Sequence, residues 1–89
     1  MKEIHEGKLY NTDTAIKIAY GYDEFCYRKT LYKTKNGNFF YVSEQTVLGV
    51  VTSNCGMTPI TVNEAAYYYN CLSNKLLDIV DVFNNIEEA

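Results

Sequence analysis

Three cysteines, a single histidine and two pairs of adjacent carboxylates are the residues of this chain whose types suit chemistry. A thiolate nucleophile needs a base within hydrogen-bond reach, and His5 is the one imidazole available. Nothing in the spacing brings Cys26 to His5, and a structural thiol embedded in a strand explains Cys26 more simply. Cys26, Cys55 and Cys71 together with His5 make the right count for a zinc site at the wrong spacing, since no C-x-x-C occurs. Asp23-Glu24 falls in a turn and Glu87-Glu88 near the C-terminal end. Acid–base work needs carboxylates that converge, and neighbours along an extended chain point apart. Gly21, Gly37, Gly49 and Gly56 are isolated, so there is no Gly-rich phosphate loop. The expectation is a non-enzyme, without catalytic residues, cofactor or metal.

Surface chemistry is what remains. Arg28, Lys29, Lys33 and Lys35 form a basic group with no acid among them, whereas Asp78, Asp81, Glu87 and Glu88 lie in a closing stretch that carries no base. The structural account is a hairpin whose lysines block edge-to-edge aggregation and a helix with a solvated face. The functional account is a polarised surface that steers a partner. Basic residues interleaved with Tyr27, Tyr32, Phe39 and Tyr41 also offer a stacking platform for single-stranded bases. A net charge of −3 weighs against that use, and is far from acidic enough to imitate a DNA phosphate surface. Tyr67-Tyr68-Tyr69 would span an arc of about 200° on a helix, so at least one ring must be exposed or lie on the sheet edge. The candidate protein-binding residues are therefore Asp78, Asp81, Glu87 and Glu88 for steering, with Tyr67 and Tyr68 as anchors. The alternative, nucleic-acid-binding set is Arg28, Lys29, Lys33 and Lys35.

The elements that must position these residues follow from periodicity. Lys8–Tyr10 reads as a short extended piece closed by the turn formers Asn11-Thr12-Asp13. Thr14–Tyr20 alternates, with Ile16, Ile18 and Tyr20 on one face; a helix over the same window is the other reading. Cys26–Thr34 and Asn38–Val42 flank Asn36-Gly37, the preferred pair for a two-residue hairpin turn. That turn sets Tyr32 opposite Tyr41 and Leu31 opposite Val42, which puts Tyr32, Phe39 and Tyr41 on one face and Leu31, Phe40 and Val42 on the other. A one-residue change in loop length exchanges the faces. Thr46–Thr52 is a strand or a connection broken by Gly49, and Ser53–Pro59 a loop. Thr61-Val62-Asn63-Glu64 fits a capping box before a helix from Val62 to about Leu72, with Ala65, Tyr69 and Leu72 along its buried stripe. Lys75–Asn84 reads as a second helix, burying Leu76, Val80 and Phe83.

The fold class expected is α+β: one domain over 1–89, with a small antiparallel sheet of three to four strands across 8–52. One or two C-terminal helices across 61–86 pack on one face. The composition, 47% hydrophobic and 21% charged, is that of an ordinary folded domain. An odd set of cysteines and a charged start, Met1–Glu6, point to free thiols in a reducing cytoplasm, and no run is long enough to span a membrane.

Three motifs carry a resemblance. "GKLYNTDTA", "LYKTKNGNFF" and "PITVNEAAYYY" resemble a group of small, mostly uncharacterised proteins of bacterial phages and mobile elements. That group opens on G-K-x-Y-(D/N)-T-x-T-A, continues to an L-Y-x-T-x-x-G-x-(F/W)-F hairpin and closes on a P-(L/I)-(T/S)-x-x-E-A helix. The matching positions are Gly7, Lys8, Tyr10, Asn11, Thr12, Thr14 and Ala15, then Leu31, Tyr32, Thr34, Gly37, Phe39 and Phe40, then Pro59, Ile60, Thr61, Glu64 and Ala65. The chain departs from the group after the hairpin, where Ser43–Val47 replaces a Gly-rich stretch, and Gly21–Glu24 is shortened. The resemblance implies a mobile-element accessory protein acting in the bacterial host cytoplasm. Its partner would be a host protein, with an anti-CRISPR inhibitor of an effector complex as the specific expectation, and the protein would be a monomer or small homo-oligomer. A small nucleic-acid-binding module using the hairpin 26–42 is the second reading.

Overall fold

The computed structural model describes residues 1–23, 27–48 and 50–83. It is a small α+β domain built mostly of antiparallel sheet. Four strands run up and down in sequence: β3 (Ile16–Tyr22), β4 (Tyr27–Lys33), β5 (Phe39–Val47) and β6 (Val50–Ile60). A two-residue strand β7 (Asn74–Lys75) completes the sheet in the order β6-β5-β4-β3-β7. Ahead of it, β1 (Lys2–His5) and β2 (Lys8–Asn11) form a separate hairpin. Helix α1 (Val62–Cys71) follows β6, and a single helical turn, α2 (Ile79–Val82), ends the described chain. The sheet is thus wider than the three to four strands expected, and Thr14–Tyr20 resolves in favour of strand.

The central hairpin turns on three residues, Lys35-Asn36-Gly37, one more than the expected Asn36-Gly37 pair. Thr34 donates its N–H to the Asn38 carbonyl at 2.8 Å and accepts from the Gly37 N–H at 3.0 Å, while its hydroxyl accepts from the Asn38 N–H, also at 3.0 Å. Gly37 sits at φ +84°, the left-handed position that closes a three-residue hairpin loop. The register therefore moves by one: Tyr32 faces Phe40 and Leu31 faces Tyr41. Faces exchange accordingly. Leu31 and Phe39 join Ile18, Ala19, Ala65, Tyr69, Leu72, Val82 and Phe83 in one buried cluster under α1. Tyr32, Phe40 and Val42 join Tyr10 and Met57 on the opposite face, with Tyr32 stacked on Phe40 at 4.9 Å.

Both faces of the hairpin read as apolar because both are covered. The second cover is the β1–β2 hairpin, whose Tyr10 meets Phe40 edge-on at 5.5 Å. Its turn, Glu6-Gly7, has φ of 51° and 75°, the two positive values of a tight hairpin. A bulge between Lys17 and Ala19 breaks the strict alternation of β3, so Ile18 and Ala19 are both fully buried while Ile16 is exposed.

Helix α1 forms as expected. The Thr61 hydroxyl accepts from the Glu64 N–H at 3.2 Å and the Glu64 carboxylate accepts from the Thr61 N–H at 3.1 Å. Ala65, Tyr69 and Leu72 are buried beneath it. The second helix is a correction. Lys75 belongs to β7, Leu76 donates its N–H to the Ile18 carbonyl, and only Ile79–Val82 is helical. Leu76 and Val80 are exposed; Val82 and Phe83 are the buried residues. The chain takes the free edge of β3 instead of turning early into helix: a short helix is costly to nucleate, and the Ile18 carbonyl on that edge accepts from the Leu76 and Leu77 N–H groups. Ser53–Pro59, expected as a loop, is strand β6.

Candidate interaction surface

The structure splits the expected surface residues into separate groups. Tyr67, Tyr68 and Tyr69 go to three environments, as the helical arc requires. Tyr69 is buried and donates its hydroxyl to the Leu77 carbonyl at 2.7 Å. Tyr68 is half-buried against Tyr41, with ring centres 5.0 Å apart, and Tyr67 is exposed and edge-on to Tyr68 at 5.8 Å. The Lys29 ammonium sits 5.7 Å over the Tyr41 ring, which extends the row to Lys29–Tyr41–Tyr68–Tyr67. Burial pushes the Tyr68 phenol up, with Tyr41, Glu64 and Tyr67 adding to it.

Asp78 and Asp81 are exposed at the single turn α2. Their charges act on Tyr69, whose phenol is raised first by burial and then by both acids. The acid that acts on Tyr68 is Glu64. The expected tyrosine anchors and steering acids therefore adjoin different rings of α1. Glu87 and Glu88 lie outside the described residues.

The four bases of the hairpin form no single patch. Arg28 binds one oxygen of Glu44 through Nη2 at 2.9 Å and Nε at 3.2 Å, and that contact raises its already high pKa. Lys29 and Lys33 lie on the face under α1, where Lys33 donates to the Val82 carbonyl at 2.6 Å and sits over the Phe39 ring. Lys35 is exposed in the loop. A strand's alternation separates Arg28 from Lys29 by construction.

Of the residues suited to chemistry, His5 and Cys71 lie among the described residues. His5 is held in β1, 2.9 Å from the Glu3 carboxylate and edge-on to Tyr10. Cys26 lies outside the described residues, and Cys71 is an exposed free thiol. Among the described residues, no group of three His, Cys, Asp or Glu side chains converges to hold a metal. None of the described helices is long and apolar enough to cross a membrane.

Periodicity missed an exposed apolar cluster. The β5–β6 turn carries Val47, Leu48 and Val50 at 55, 99 and 66% exposure, with Val51 beside them. Leu48 has φ +52°, a backbone state that costs a non-glycine residue about 1–2 kcal/mol. No charged residue occurs between Glu44 and Glu64, so the whole β6 arm is neutral. The signal was present in the sequence as Val-Leu-Gly-Val, two β-branched residues around a leucine and a glycine. Leucine is an unfavoured residue at such a turn, which hides it from turn rules. Strand β6 is also the sheet's long edge. Register shifts after Ser43 and after Gln45 kink it, and Pro59 removes a donor, so its protection from aggregation comes from irregular backbone in place of charge.

In comparisons with known proteins, the chain matches no family model, no curated protein and no solved structure.

Proposed function

We propose that this is a non-catalytic accessory protein of a phage or mobile element. It binds a bacterial host defence complex, of the CRISPR effector type, and inhibits it in the host cytoplasm by occupying a protein surface. The biological direction rests on the resemblance of the three motifs. The observation that carries the protein–protein part is the β5–β6 tip. Exposed apolar residues clustered at one turn, one of them in a strained backbone state, gain nothing for the isolated chain. Their burial in an apolar pocket of a partner repays both the exposure and the strain. A lipid surface suits the tip poorly, because membrane-binding elements fringe their apolar residues with lysine and arginine. The Tyr67–Tyr68 pair supplies a second contact and the exposed Asp78 and Asp81 supply steering.

The test is the plating efficiency of a targeted phage on an immune bacterial host that expresses the chain. The wild-type protein is expected to restore plaques by orders of magnitude. Leu48→Gly removes the apolar side chain and relieves the positive φ, so it should lose inhibition while its Tm holds or rises. No rescue by the wild-type chain across hosts with different effector types would sink the inhibitor reading. Full rescue by Leu48→Gly would remove the tip from it.

A further inference from the structure

The turn of the β1–β2 hairpin and the loop of the β4–β5 hairpin flank an open cleft of about 500 Å³. Lys8, Asn11 and Thr14 line it from one side and Lys35, Asn36 and Asn38 from the other. These residues are far apart in sequence and come from the first two motifs singled out above. The lining contains two ammonium groups and no carboxylate, in a chain that is acidic overall. Among the described residues, neither the two lysine ammoniums nor the Asn36 and Asn38 side chains have a hydrogen-bond or ion-pair partner. The Asn11 side-chain Oδ1 already accepts from the Asp13 N–H at 2.9 Å, which leaves its Nδ2 to donate. The cleft thus offers donors to an acceptor-rich anion, and charge-assisted bonds of this kind are the strong ones.

A second cavity of about 510 Å³ adjoins the first and shares Lys8 and Asn38 with it. Here the lining changes character: Glu6 and Glu64 bring carboxylate acceptors, and Pro59 and Ile60 an apolar margin. A ligand spanning both would place phosphate oxygens among the lysines and amides, and hydroxyl donors against the two carboxylates. Each cavity falls in the range of small-molecule sites, roughly 300–1,000 Å³. The geometry points to a binding site for a nucleoside diphosphate or a phosphate ester of similar size and polarity. The diphosphate lies between Lys8 and Lys35 and the sugar hydroxyls near Glu6 and Glu64. Of the bases singled out in the sequence only Lys35 takes part, and Lys8 is its partner. The site is independent of the β5–β6 tip, which carries none of its lining.

The experiment is an amide NMR titration of the full chain with ADP, with inorganic pyrophosphate and with adenosine, at ionic strength matched by sodium chloride. ADP should shift the amides of Lys8, Asn11, Lys35, Asn36 and Asn38 saturably at millimolar concentration or below. Pyrophosphate should shift the same set, leaving Glu6 and Glu64 unmoved, and adenosine should bind most weakly. Lys8→Gln with Lys35→Gln changes two exposed side chains, so spectral dispersion reports that the fold survives. Affinity for ADP should fall about tenfold or more in that variant. The proposal is overturned if ADP and pyrophosphate give no saturable shifts beyond those of sodium chloride, or if the double variant binds ADP as the wild type does.

Discussion

Thr61 does for α1 what no other residue near its N-terminus does. Its hydroxyl satisfies the Glu64 N–H, and Glu64 returns the bond, so two of the helix's orphan donors depend on one pair. Thr61→Ala should lower stability by about 1 kcal/mol, read as a Tm fall of about 4–8 °C for a domain of this size. Tyr69 makes a different residue-scale case. Its ring is buried under α1, its hydroxyl is bonded to Leu77, and burial followed by Asp78 and Asp81 raises its pKa. A phenol raised in the folded state holds its proton more tightly there than when unfolded. Its contribution to stability is complete below the unfolded value near pH 10 and is lost as pH climbs through the higher folded value. Alkaline denaturation should therefore begin above about pH 10. In a spectrophotometric titration, Asp78→Asn with Asp81→Asn should move the Tyr69 ionisation downward; an unmoved transition would show that the acids do not reach the ring. Both features differ in legibility. The Thr61-x-x-Glu64 spacing announces its own geometry, whereas the Tyr69–Leu77 bond depends on a chain path that no local pattern encodes.

At the scale of elements, legibility followed the range of the forces involved. Helix α1 was readable because its cap, its stripe and its length are all local. The four-residue turn that stands where a second helix was expected was not, because Leu76 and Leu77 give their N–H groups to the Ile18 carbonyl, a partner far away in sequence. The central hairpin lies between these cases. Its existence and its glycine were plain, but whether Gly37 is the second of two turn residues or the last of three depends on the Thr34 hydroxyl meeting the Asn38 N–H. The resulting register decides which aromatic rings lie under the helix and which under the β1–β2 hairpin. Gly37 has open space around the position of a Cβ, so substitution there tests backbone conformation alone. Gly37→Ala should cost about 1 kcal/mol through its positive φ. The register should persist, as nuclear Overhauser contacts between Tyr32 and Phe40 would report. Loss of those contacts, with new ones from Tyr32 to Tyr41, would mean that the glycine and not the threonine sets the register.

For the molecule as a whole, the arrangement explains how so short a chain buries so many rings. The sheet is one layer thick and both of its apolar faces are roofed, by α1 and α2 on one side and by the β1–β2 hairpin on the other. Six aromatic residues, Tyr10, Tyr32, Phe39, Phe40, Tyr69 and Phe83, are buried in these two interiors, so the proposed contacts fall to the periphery: the neutral β6 arm, the Tyr67 ring and the acids at α2. The candidate steering residues were legible as a charge imbalance, and the apolar tip was not, because its exposure is a property of the assembled sheet. The division also separates two contributions to binding. On the proposed reading the tip would supply contact area, so its loss would raise the off-rate, whereas the exposed acids would act before contact, through the on-rate. With a host effector complex in hand, Asp78→Lys with Asp81→Lys should slow association several-fold at low ionic strength and leave dissociation nearly unchanged. The difference should fade as salt approaches about 0.5 M, where the Debye length drops to a few ångströms. Stopped-flow association across a salt series distinguishes this from a contact role. A variant that dissociates faster at every salt concentration would place the two acids inside the interface, beside Tyr69, and remove them from the approach to it.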